Sequence, residues 1–137
     1  MAVGPCAIFM FEVEVQKQRN LLKLSFYGKV TPAETTRSLE QLHAVVPEMK
    51  PGFYQLTDLR ELEDMDPACA SDIEKTMDLA NKHGVSTIIR IIPHPQKDIG
   101  LNIMSLFHYS RGVRIITCKR MEEALKLLPP TTVEQIP

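Results

Sequence analysis

A chain of 137 residues holds enough apolar material for one core and rarely for two, so a single domain spanning 1–137 is expected. Hydrophobic residues at 44% and charged residues at 24% exclude a disordered or coiled-coil composition. With 16 basic and 17 acidic side chains interspersed and a formal charge of -1, there is no field to draw in a phosphate backbone, and nucleic-acid binding is not expected.

The opening MAVGPCAIFMF lacks the basic start and long apolar stretch of a secretion signal. Nothing later approaches the ~20 apolar residues of a membrane span. A cytoplasmic protein without stable membrane insertion is expected. Cys6, Cys69 and Cys118 form no metal-ligand spacing, which suits reduced thiols.

Along the chain, Phe9, Phe11, Val13 and Val15 alternate with Met10, Glu12 and Glu14, and Leu22, Leu24 and Phe26 alternate with Lys23, Ser25 and Tyr27 after a break at 16–20. That period of two predicts two strands paired as an antiparallel hairpin. Thr31-Pro32-Ala33-Glu34 then combines a cap, a first-turn proline and a carboxylate that can reach back to the Thr31 amide. A helix should follow, with Thr35, Leu39, Leu42 and Val46 on its inner stripe and Pro47 at its end.

Phe53 to Leu56 reads as a buried central strand, and Asp58 to Asp66 as an exposed acidic connection. Asp66-Pro67 repeats the cap-and-proline start. The next helix should turn Ala70, Ile73, Met77 and Ala80 inward, direct Asp72, Lys75, Asp78 and Lys82 outward, and stop at a left-handed Gly84.

Val85 to Ile92, rich in β-branched residues, predicts another buried strand. A loop at 93–97, a third helix from Asp98, a short strand at Val113 to Thr117 and a helix at Lys119 to Leu128 complete the order, with 129–137 as a tail. The expected fold class is α/β. It has a mixed, mainly parallel five-stranded sheet with an N-terminal antiparallel hairpin and about four helices packed on it.

Three phrases carry a resemblance: LSFYGKVT at 24–31, YQLTDLREL at 54–62 and MEEAL at 121–125. Together with the element order they resemble the STAS domain, the fold of bacterial anti-sigma factor antagonists, in its SpoIIAA-like form. The resemblance runs from about Phe11 to Leu128. It implies a regulatory, non-enzymatic module that acts by docking a regulatory protein, without a cofactor. In that family the strand aspartate, matched by Asp58, is followed by an Asp-Ser-Ser-Gly phrase whose second serine is phosphorylated by a partner kinase. Here Asp66-Pro67-Ala68-Cys69 occupies the place of that phrase, and Ala68 stands at the acceptor position without a hydroxyl. The resemblance therefore places partner binding at Thr31, Asp58, Asp64, Asp66, Ala68 and Ser71. Ser71, one turn on, is either a displaced acceptor or an ordinary solvent-facing serine.

Other chemistry is weaker in the sequence. The acidic residues lack the alternation and glycine of a calcium loop, so no metal site is expected. The histidines fall on different predicted elements and share no signature with a cysteine, although Cys69 near a helix start could be a reactive thiol in a small enzyme. The loop with Pro93 and His94, together with Ile103 and Phe107 of the third predicted helix, offers an alternative. A small apolar ligand or lipid could lie between that helix and the sheet, or excess apolar surface there could support a homodimer.

Overall fold

The computed structural model describes residues 10–92, 94 and 108–129. Strand β1 (Phe11–Gln16) pairs antiparallel with β2 (Leu21–Phe26), placing Val13 opposite Leu24 and Val15 opposite Leu22. The turn between them ends on Asn20, whose left-handed φ of 51° suits the short polar side chain of asparagine. Its amide donates to the Lys50 carbonyl at 3.0 Å and accepts from the Lys50 N–H at 3.1 Å, fastening the hairpin to the loop before the next main strand.

After β2 the chain forms β3 (Gly28–Val30), α1 (Pro32–Val45), β4 (Tyr54–Asp58), β5 (Leu62–Met65), α2 (Ala70–Lys82), β6 (Thr87–Ile91), β7 (Arg114–Cys118) and α3 (Met121–Leu125). The main sheet has the order β1-β2-β4-β6-β7, and every pairing after the hairpin is parallel. All of β6 and all but the first residue of β4 are buried, as central strands covered on both faces must be.

Alternation divides the sheet. One face presents Leu22, Leu24 and Ile88 to Leu39 and Leu42 of α1 and Ile73 and Met77 of α2. The opposite face packs Leu21, Leu56, Ile89, Ile91 and Cys118 against Ala124 of α3. Five strands, the hairpin and the parallel remainder agree with the expected class, and three α-helices are found among the described residues. Most of the helix expected from Asp98 and all of the tail expected at 129–137 except Pro129 lie outside them, as do Cys6, Pro93, Ile103 and Phe107.

The segment 58–66 differs from its reading as an exposed connection. Leu62 to Met65 forms β5, which pairs parallel with β3 as a separate two-stranded sheet; Leu62 and Met65 are buried while Glu63 and Asp64 face out. Two strands of three and four residues carry too little periodicity to be recognised, and their pairing links residues more than thirty positions apart. Gly28, at φ 57°, begins β3 in a conformation few other residues adopt, and its N–H donates to the Glu61 carbonyl at 2.8 Å.

Helix α2 also begins later than its cap suggested. Asp66 caps a 3₁₀ turn, Pro67–Cys69, which leads into the α-helix at Ala70. Ile73, Met77 and Ala80 are buried as expected, but Ala70 is exposed. Asp72, expected to point away, is instead half-buried against α1. At the other end Gly84 adopts φ 87°, with its N–H on the Asn81 carbonyl and that of Val85 on the Ala80 carbonyl, the paired bonds of a Schellman stop.

Candidate functional site

The candidate surface is built where β3, β5, α1 and α2 meet. Val30 and Met65 are register partners, so the residues that follow them, Thr31 and Asp66, lie side by side. The Asp66 N–H donates to the Val30 carbonyl at 3.0 Å and continues the small sheet to its edge. Thr31 starts α1, and Glu34 Oε1 accepts from its backbone N–H at 2.9 Å and its hydroxyl at 3.0 Å. The other Glu34 oxygen accepts from the Met10 N–H at 3.2 Å. This carboxylate therefore ties a helix start to the entry of the first strand.

Asp66 Oδ1 accepts from the Ala68 N–H at 2.8 Å, which occupies one of the free amides of the turn. Ala68 and Ser71 are both exposed beside it. The two helix starts are joined by Asp72, whose Oδ2 accepts from the Thr35 hydroxyl at 2.8 Å and the Thr36 hydroxyl at 3.0 Å. Thr31, Asp64, Asp66, Ala68 and Ser71 are all exposed, and the Val30–Met65 register brings Thr31 and Asp66 together at the edge of the small sheet. Its aspartates give it negative character, suited to cationic or hydrogen-bond-donating groups.

Asp58 does not join that surface. It is only 7% exposed at the end of β4, and Arg60 grips both its oxygens, with Nε on Oδ1 at 3.0 Å and Nη2 on Oδ2 at 2.8 Å. Burial pushes the carboxyl up, but the side-chain and backbone hydrogen bonds from Arg60 outweigh it and hold Asp58 below the usual carboxylate range. Its part is to fix the turn that leads into β5.

The readings based on nucleophiles meet a different geometry. Cys69 is 0% exposed, with Sγ 3.8 Å from the Val30 carbonyl, and burial pushes its thiol up, away from a reactive thiolate. His43 is exposed on α1, His83 ends α2 and His94 is exposed in a bend. Among the described residues no three His, Cys, Asp or Glu side chains are grouped to hold a metal. His108 has carboxylates on both sides: Nδ1 lies 2.7 Å from Asp78 Oδ1 and Nε2 lies 3.2 Å from Glu74 Oε2. The hydrogen bond with Asp78 raises its pKa most; burial opposes this, and Glu74 adds to the rise.

One group of residues does not stand out in the sequence. Gln55 and Thr57 on β4 and Arg90 on β6 lie on the sheet face beneath α2, with Thr57 the register partner of Arg90. Tyr109 closes over them, hydrogen-bonded with Arg90, and burial pushes its hydroxyl up to about 12, so it remains protonated. The available signal is the polar residue inside each apolar run, in YQLTD and TIIRI. A buried strand has no reason to carry glutamine or arginine unless the fold supplies partners.

No protein-family model matches the chain, and no protein of curated function matches it by sequence. Solved structures do. An uncharacterized Shewanella loihica protein described as having a SpoIIAA-like fold superposes with a TM-score of 0.65 at 15% identity, covering 88% of this chain and 95% of that one. The anti-sigma factor antagonist SpoIIAA in its unphosphorylated form gives 0.60 at 14% identity, covering 92% of this chain and 99% of its own.

This chain has the SpoIIAA-like fold. An anti-sigma factor antagonist from Mycobacterium paratuberculosis extends the set, with a TM-score of 0.56 at 13% identity over 86% of this chain and 93% of that one. The SpoIIAA-like architecture thus accounts for the hairpin, the parallel strands and the helices on both faces. Among the described residues no helix is long and apolar enough to cross a membrane.

Proposed function

We propose that this SpoIIAA-like chain is a non-enzymatic regulatory module that docks a protein partner through Thr31, Asp64, Asp66, Ala68 and Ser71. The observation that supports the reading is the register pair Val30–Met65, which sets exposed Thr31 beside exposed Asp66 where two helical segments begin. Solved structures of the same fold include proteins described as anti-sigma factor antagonists. Ala68 offers no hydroxyl, so the partner is held without a phosphoryl switch at that position. Ser71 contributes a contact rather than an acceptor. Asp58, held on Arg60, supports the corner from beneath and is not itself touched.

Titration against anti-sigma factor kinases from the source organism tests this reading. Reversing charge with Asp66→Lys and adding bulk with Ser71→Arg should each weaken binding at least about tenfold, the equivalent of ~1.4 kcal/mol. Equal affinity for the wild type and both variants removes the proposed surface. Ala68→Ser provides a second readout: phosphate transfer from the kinase should occur on this variant and not on the wild type.

A further inference from the structure

Residues 108–110 form a strap along one stripe of α2. Glu74, Asp78 and Asn81 recur there at the spacing of a single helical face, and each holds part of the strap. His108 Nε2 lies 3.2 Å from Glu74 Oε2, its Nδ1 lies 2.7 Å from Asp78 Oδ1, and the Ser110 N–H donates to Asn81 Oδ1 at 2.9 Å. Between these ties Tyr109 reaches beneath α2 to Arg90 and, with Gln55, Thr57 and Met77, lines a cavity of about 40 Å³. That space is far below the roughly 150 Å³ that holds a benzene ring, so it excludes an acyl chain and admits water. Gln55 Oε1, buried without a hydrogen-bond partner, gives water a polar group to meet once it enters.

An imidazole can satisfy two carboxylates in this way in only one protonation state. Both ring nitrogens carry hydrogen in the imidazolium, whereas the neutral ring keeps one and turns a lone pair toward the other carboxylate. Among the described residues, Glu74 and Asp78 of α2 are the charged groups that face the ring, while Arg90 of β6 faces Tyr109 instead. Tyr109 holds its proton throughout the neutral range, so within the strap the imidazole alone titrates there. We propose that His108 is a pH-operated latch: its imidazolium holds the strap shut over the cavity, and loss of the proton frees the strap from Glu74 and lets solvent reach Gln55 and Met77. Glu74 is the contact released because it is the longer of the two, and the remaining proton stays on the nitrogen facing Asp78. The folded chain raises the pKa of His108 above the ordinary 6.5, chiefly through Asp78. The latch is therefore closed below about 6.5 and loosens as pH rises through the folded value.

The latch does not rest on the proposed docking corner, and its test needs no protein partner. The full chain is labelled with carbon-13 at the methionine methyls and the histidine rings, and methyl relaxation by a neutral gadolinium chelate in the solvent is followed from about pH 5.5 to about pH 8.5. The Met77 methyl should relax at least about twofold faster at the high end, with a midpoint equal to that of the His108 ring. Met49, buried but not lining the cavity, should not change. His108→Gln should remove the step. In Glu74→Gln the new amide can donate to the unprotonated nitrogen, so Met77 should stay shielded at both ends of the range. A Met77 methyl that stays flat while the wild-type His108 ring titrates overturns the latch. So does a step that survives in His108→Gln or in Glu74→Gln.

Discussion

The Thr35 hydroxyl on α1 donates to Asp72 Oδ2 on α2 at 2.8 Å, across thirty-seven positions of sequence. Thr35 is fully buried, so this bond fixes how the two helix starts meet at the edge of the proposed docking corner. Asp72→Ala removes the acceptor for Thr35 and Thr36 together, although Thr35 retains the Pro32 carbonyl at 3.2 Å. The expected loss is about 1–2 kcal/mol, read from urea unfolding at unchanged slope. A cycle with Thr35→Val should give a coupling of at least ~0.5 kcal/mol; simple additivity would mean the bond contributes nothing.

His108, placed between Glu74 and Asp78, makes stability depend on pH. Its pKa is raised in the folded state above the ordinary 6.5, so the folded chain holds the proton more tightly than the unfolded one. The stabilisation is complete below about 6.5 and is lost as pH rises through the folded value. The wild-type urea midpoint should therefore fall relative to His108→Gln between about pH 6 and pH 8. Parallel curves for the two proteins across that range would show that the imidazolium is not held.

Gly84 ends α2 at φ 87°, and a Cβ there would stand 3.3 Å from both Cα and Cβ of Pro51. Gly84→Ala thus meets backbone strain and a close contact with a stiff neighbour. A loss of about 1–2 kcal/mol is expected from the left-handed conformation, with the contact adding to it. Gly52, also left-handed at φ 90°, has nothing within 4 Å of a Cβ, so Gly52→Ala should cost less. Thermal unfolding of both variants checks the order.

Features specified by nearby residues are legible in the sequence itself. The alternation in 11–15 and 22–26, the Glu34 arm of the Thr31 cap, the Asp66-Pro67 turn and the Gly84 stop each arise from contacts within a few positions. Local sterics and hydrogen bonding specify them wherever the rest of the chain goes. The same holds for the buried runs of β4 and β6, since two covered faces require apolar residues at nearly every position.

Tertiary structure decided what depends on distant partners. The β3–β5 pairing makes a second small sheet of a segment whose composition suggests an acidic loop. Arg60 drew Asp58 out of the solvent, and Thr35 and Thr36 drew Asp72 inward. Likewise Gln55, Thr57 and Arg90 are isolated polar residues in sequence, and strand register places them together beneath α2. A side chain's type is set by sequence, but its solvation is set by whichever elements pack over it, and burial changes the chemistry of a polar group more than its identity does. The residues alone therefore determined the hairpin, the buried strands of the main sheet and the helix starts and stops, while packing decided the β3–β5 pairing, which acids remain on the surface and which polar groups are buried beneath α2.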